Sequence, residues 1–105
     1  MRLRKVKYAQ DKLRSYPELV YIDPIDIKGK WDSIFSNNHP IHLEIGIGKG
    51  KFLFELAKLH PEINYLGIEK FDSVIVRALE KLLVEPLPNV RLIYVDAEKL
   101  PLIFE

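Results

Sequence analysis

The 105-residue sequence has no cysteine, one methionine and one tryptophan. Without thiols there can be no disulfide, no thiolate zinc site and no cysteine nucleophile. Long apolar runs are also missing, since none approaches the ~20 residues a bilayer-spanning helix needs. Met1-Arg2-Leu3-Arg4-Lys5 has the positive start of a secretory signal, but no hydrophobic stretch follows it. These absences predict a cytoplasmic protein with no membrane partner. What remains is 48% apolar and 30% charged, the balance of one globular domain with a modest core and no need of staples.

The formal net charge of +1 hides an asymmetry. Residues 1–14 hold six bases (Arg2, Arg4, Lys5, Lys7, Lys12 and Arg14) against one acid, Asp11, whereas the remainder holds ten bases against fourteen acids. A basic arm on a mildly acidic body suits either a solvated helix face or contact with a polyanion, whose condensed counterions Lys and Arg displace.

Two regions follow from the pattern: an arm over residues 1–39 and a strand–helix alternation over 40–105. In the arm, Tyr8 to Arg14 predicts a short helix stopped by Pro17. Leu19 to Ile22 reads as extended, and Trp31 to Phe35 as one or two helical turns. From Pro40 onward, Ile41 to Ile47 predicts a strand, and Lys51 to Leu59 a helix with Phe52, Leu56 and Leu59 on its inner face beside Leu53. Ile63 to Ile68 predicts a second strand, and Val90 to Val95 a third. Between these two, a helix capped by Asp72 or Ser73 runs to Val84, with Val74, Ile75, Ala78, Leu79, Leu82 and Leu83 as its apolar stripe. The order β-α-β-α-β is half of a doubly wound, Rossmann-like α/β fold with parallel, buried strands.

The most informative stretch is Glu44-Ile45-Gly46-Ile47-Gly48-Lys49-Gly50-Lys51, a G-x-G-x-G turn between a strand and a helix. Glycines there allow a sharp bend and let a ligand approach bare backbone, with a helix N-terminus behind it. Glu69 closes the next strand, at about the distance past the glycines where α/β nucleotide-binding proteins hold ribose hydroxyls. Asp96 closes the third, so Glu44, Glu69 and Asp96 fall at successive strand ends, where open α/β sheets bind ligands. NAD sites prefer G-x-G-x-x-G, with a pyrophosphate on the helix N-terminus. Here the third glycine comes one residue early and an acid precedes the first. That arrangement favours S-adenosyl-L-methionine: Glu44 suits its ammonium and the loop N–H groups its carboxylate.

These residues resemble a known family. His42 to Phe52 is similar to motif I of the bacterial tRNA (guanine-N7-)-methyltransferases, which are class I S-adenosylmethionine-dependent enzymes. The similarity continues through Pro61 to Glu69, Ser73 to Ala78, Glu85 to Asn89 and Val95-Asp96-Ala97, and includes the opening Met1-Arg2-Leu3-Arg4. The resemblance implies a class I methyltransferase fold, tRNA as partner, and methyl transfer to N7 of a guanine in the tRNA variable loop. It also implies that Glu44, Gly46, Gly48, Gly50, Glu69, Asp96 and Ala97 bind the cofactor, with Glu69 on the ribose and Asp96 with Ala97 beside the adenine.

Family members continue beyond Phe104-Glu105 into a half that carries a further strand, a catalytic acid and the guanosine- and tRNA-holding segments. The chain is therefore expected to be the cofactor-binding half of such an enzyme, inactive alone, with no catalytic residue assignable in it. Its first strand of the alternation, Ile41 to Ile47, is expected to be an open edge that pairs with a C-terminal half-chain or a second copy. The alternatives are another methyltransferase of the same class or a non-catalytic partner module.

Remaining features read as structural first. His39 and His42 lack a third metal ligand nearby, and His60 suits a helix C-terminus. Lys49 and Lys51 read as exposed loop lysines ahead of phosphate contacts, and Trp31 reads as packed against the sheet.

Overall fold

The computed structural model describes the backbone of residues 2–24 and 27–104, and the side chains of 8–24, 27–31 and 33–104. The expected polyanion contacts of Arg2, Arg4, Lys5 and Lys7 lie outside the described side chains.

Strand–helix alternation is realised as β2 (Ile41–Ile45), α2 (Lys51–Leu59), β3 (Asn64–Glu69), α3 (Asp72–Val84) and β4 (Val90–Tyr94), preceded by α1 (Arg2–Arg14) and β1 (Val20–Ile22). After β4 a single 3-10 turn, Ala97–Lys99, runs into the short α4 (Leu100–Ile103). All strand pairs are parallel, in the order β1-β4-β3-β2. The protein thus has a mixed α/β architecture built on a parallel four-stranded sheet, as the Rossmann-like expectation requires. Among the described residues no helix is long and apolar enough to cross a membrane.

Period-two alternation of the two central strands divides the core between the sheet's faces. Tyr65, Val90 and Leu92 point to one face, where they meet Ala9 and Leu13 of α1, Leu53 and Ala57 of α2, and Ile75, Leu79 and Leu82 of α3. Leu66, Ile68 and Ile93 point to the other, against Trp31, Phe35 and Ile103. Trp31 is fixed there by its Nε1, which donates to the Ile103 carbonyl at 2.8 Å, and by stacking on Phe104 at 5.0 Å. Helices thus cover one face, while the 3-10 turn Trp31–Ile34 and the short α4 cover the other.

Several expectations need correction. Helix α1 begins at Arg2, not Tyr8. It is anchored by the i, i+4 pair Ala9 and Leu13 on α3, and tertiary burial of such a face stabilises a helix whose propensity is unexceptional. The extended Val20–Ile22 is a true sheet strand, in register with Leu92 to Tyr94 of β4. In α2 the inward face is Leu53, Phe54 and Ala57, whereas Phe52 and Leu59 are exposed. The apolar residues of this helix wrap most of its circumference, and a bend at Gly50 decides which of them meets the sheet. Neither Asp72 nor Ser73 caps α3: Phe71 occupies that position with extended backbone and no side-chain bond.

Close packing of α2 on β3 explains Gly67. A Cβ added there would lie 2.5 Å from Leu53 Cδ2 and 2.9 Å from Ile47 Cδ1, so the backbone itself is the contact surface. Asn89 secures the far end of α2, its Nδ2 donating to the carbonyls of Ala57, His60 and Ile63 at 3.0, 3.2 and 3.0 Å. The bonds to Ala57 and His60 satisfy carbonyls that a helix end otherwise leaves unpaired, and the bond to Ile63 ties that end to the start of β3.

Candidate functional site

Strand β2 ends at Ile45 because Gly46 turns with φ of +71°. Gly48 and Gly50 follow at +60° and +85°, a region of backbone space that costs side-chain-bearing residues strain. The loop is held to β3 by Gly46 N–H and Ile47 N–H, which donate to the Ile68 carbonyl at 2.7 and 3.2 Å. No atom lies within 4 Å of where a Cβ would stand on Gly46 or Gly48, so the loop presents bare backbone to open space. Gly50 caps α2 without a side-chain bond, leaving first-turn N–H groups and the positive end of the helix dipole beside that space.

Glu69, the last residue of β3, is the buried hub of the loop. Its Oε1 accepts from Gly48 N–H at 3.0 Å and its Oε2 from Phe71 N–H at 3.2 Å, with the residue only 7% exposed. One carboxylate thereby ties the glycine turn to the loop after β3. A carboxylate offers about four lone-pair sites, so two accepted bonds leave capacity for hydroxyl donors.

Asp96 stands two residues past β4 and accepts from Glu98 N–H at 3.0 Å, capping the 3-10 turn that begins at Ala97. Glu44 is half-buried near the end of β2, opposite Gly67 in the register. The structure therefore joins Gly48 and Glu69 directly and ranges Glu44, Glu69 and Asp96 along the carboxyl ends of three adjacent strands. Ala97 is exposed at the edge of this array.

Beside it lies a cleft of about 400 Å³, lined by Asp23, Lys70, Phe71, Tyr94, Val95, Asp96 and Lys99. Of these, only Asp96 was expected from the sequence. Phe71 carried a legible signal, an aromatic two residues beyond the strand-ending acid. It is 56% exposed, with Lys70 Nζ 5.2 Å from its ring centroid. Tyr94 and Asp23 carried none, because β1 and β4 become neighbours only through the sheet. Helix α1 reaches the same rim: Gln10 Nε2 donates to Asp72 Oδ2 and to Tyr94 Oη, each at 3.0 Å.

Among the described residues no group of three His, Asp or Glu side chains is placed to hold a metal. His42 instead meets Tyr65 edge-on at 5.8 Å, and His60 terminates α2 with Nδ1 3.3 Å from Glu62 Oε2.

Chemically, the site pairs hydrogen-bond donors from a bare loop and helix end with acceptors from three carboxylates, next to an aromatic face. This set can accept a small ligand that carries both hydrogen-bond donors and acceptors and a flat apolar part.

Comparison with known proteins identifies the family. A family model described as "Putative methyltransferase" matches residues 38–105. The tRNA (guanine-N(7)-)-methyltransferase of Bacillus cytotoxicus is 51% identical over 104 residues, covering 99% of this chain and 48% of that protein. The enzyme of the same name from Geobacillus thermodenitrificans is also 51% identical over 104 residues, with the same coverage. One from a further Geobacillus species is 52% identical over 100 residues, 95% of this chain and 46% of that protein. The chain spans about half the length of the curated relatives it matches. With most of its sequence, glycine loop and strand-end acids included, inside the matched region, the chain belongs to this methyltransferase family.

Proposed function

We infer that the chain is the methyl-donor-binding part of a tRNA (guanine-N7-)-methyltransferase and that its ligand is S-adenosyl-L-methionine. The observation that carries this reading is the Glu69 carboxylate, buried at a strand end and bonded to the Gly48 amide. In this reading Glu69 receives the ribose hydroxyls, and Glu44 faces the ammonium. The amides of Gly46, Gly48 and Gly50 face the carboxylate, while Asp96 and Ala97 border the adenine beside Phe71. When bound, the cofactor supplies an electrophilic methyl on a sulfonium.

The acceptor we assign is N7 of a guanine in the variable loop of tRNA, and the setting is the cytoplasm. Guanine N7 carries an exposed lone pair in neutral guanosine, so no strong base is needed to create the nucleophile. Rate then depends on alignment and charge placement. This chain's residues would contribute by holding the donor, the glycine turn through its amides and Glu69 through its carboxylate.

Strand β2 supports the second element of the reading, a partner on the sheet edge. Among the described residues it pairs on one side only, with β3, and Leu43 and Ile45 are 40% and 59% exposed. We assign to this edge a strand from a polypeptide corresponding to the relatives' remaining length, added in parallel or antiparallel pairing.

Calorimetric titration with S-adenosylhomocysteine and with NAD tests the cofactor. The expected result is binding of the former only, weakened at least tenfold in Glu69→Ala, since charge-assisted hydrogen bonds contribute about 1.5–3 kcal/mol each. A preference for NAD, or equal affinity in that variant, would overturn the assignment.

A further inference from the structure

A hollow of about 610 Å³ lies not at the strand ends but between α2 and α3. Five cationic side chains and three acidic ones line it. Two of the acids are already engaged within the groove: Glu85 accepts from Lys58 Nζ at 2.8 Å and Glu80 from Arg77 Nη1 at 2.7 Å. Among the described residues this leaves Lys49, Lys51 and Lys81 without an ion-pair partner, against Glu55 alone. The groove therefore carries its surplus of positive charge in three side chains, one from the glycine loop and one from each of the two helices.

Its position adds to that charge. Lys49 lies between Gly48 and Gly50, and Lys51 is the first residue of α2, so both stand at the positive end of a helix dipole. The floor is apolar, formed by the buried Phe54 and the half-buried Leu87, and the exposed Val84 also lines the groove. At the flank formed by α3, Tyr8 Oη donates to Glu80 Oε2 at 2.5 Å, which brings α1 alongside. Lys12 of α1 is close enough to help hold the Glu80 carboxyl below its ordinary range, after the bonds from Tyr8 and Arg77. Lys12 therefore adds a further cationic side chain from α1 beside a groove that is itself basic.

We propose that the α2–α3 groove is a docking track for the phosphodiester backbone of RNA, with Lys49, Lys51 and Lys81 on phosphates and the apolar floor against nucleoside faces. The inference rests on the reading of the protein as an RNA-modifying enzyme and assigns that enzyme a surface outside the methyl-donor site. Three unpaired ammonium groups around an apolar floor match a chain of alternating phosphates and flat nucleosides. An acidic peptide would match the charge and leave the floor unused.

The test is the salt dependence of binding of a fluorescent tRNA transcript to the full chain, followed by anisotropy from 50 to 300 mM KCl. Lys51→Gln combined with Lys81→Gln is compared with Lys28→Gln combined with Lys30→Gln. The latter pair removes the same charge from residues flanking Ile27 and Trp31, on the opposite side of the sheet. The expected result for the groove variant is a loss of about tenfold in affinity near 100 mM salt. Its log–log salt slope should become shallower by about two, near 0.9 for each phosphate no longer neutralised. The opposite-face variant is expected to change the slope by less than half as much. Equal effects of the two variants, or no RNA binding by the unaltered chain at 50 mM salt, would overturn the proposal. Tighter binding of a polyglutamate peptide than of RNA would overturn it in favour of an acidic protein partner. Titration of the same preparations with S-adenosylhomocysteine reports separately on the donor site, so failure of the groove and failure of the cofactor reading give different results.

Discussion

Strands β2 and β3 lie side by side over five register pairs, yet they differ in almost every physical respect. All six residues of β3 are buried, including Asn64 and Glu69, whereas β2 has three exposed positions out of five. Both read as apolar runs in the sequence. The difference comes from neighbours: β3 has β2 and β4 at its sides and helical elements on both faces, while among the described residues β2 pairs with β3 alone. Burial here is a property of position in the sheet more than of composition, and a parallel strand with an open side is an unusual exposure of backbone hydrogen-bonding groups.

The contrast can be broken first by truncating the same residue type in each strand. Leu66, fully buried in β3, pairs with Leu43, 40% exposed in β2. Leu66→Ala is expected to cost about 2–5 kcal/mol of unfolding free energy through cavity formation, and Leu43→Ala about 1 kcal/mol or less. Urea titration of both variants checks this, and similar losses would mean that β2 is covered in solution.

Charge on the edge gives a smaller effect on stability and a clear one on association. Ile45→Lys is expected to change unfolding free energy by roughly 0.5 kcal/mol or less while suppressing concentration-dependent self-association, because edge lysines block strand addition. Sedimentation velocity across a range of protein concentrations reads the outcome. Unchanged association would place self-contact on another surface.

The smallest effect sharpens the comparison by leaving it intact. Glu80 has its carboxyl lowered chiefly by the Tyr8 hydroxyl and then by Arg77, and Tyr8 is raised in turn by its bond to Glu80. A depressed carboxyl contributes stability above its unfolded value that is lost as pH falls through the folded one. A raised phenol contributes stability below its ordinary value near 10 that is lost as pH rises through the folded one. Docking of α1 on α3 is therefore expected to loosen slightly below about pH 4 and again in strong alkali. Tyr8→Phe should weaken it at neutral pH and flatten both limbs. Hydrogen exchange should report this in the α1 amides, with those of β3 unchanged.

Much of this architecture was legible in the chain. The bounds of α2, Lys51 to Leu59, follow from glycine before it and His60-Pro61 after it, and α3 ends where Glu85-Pro86 begins. The site was legible to the extent that its chemistry lies in local spacing: three glycines between strand and helix, and acids at the following strand ends. The inward face of α2 was not, because Phe52, Leu53, Phe54, Leu56 and Leu59 supply apolar residues on most sides of a nine-residue helix. Periodicity then has no single answer.

Order along the chain, turn chemistry and the glycine–acid spacing were set by the sequence alone, since each depends on backbone preferences within a few residues. Tertiary structure decided which residues meet across long separations. Glu69 reaches the Gly48 amide, β1 lies beside β4 and brings Asp23 to the cleft with Tyr94, and α2 and α3 enclose a basic groove between them. Such contacts arise when strands stack in parallel and helices pack on their face, and no local spacing encodes the resulting neighbours.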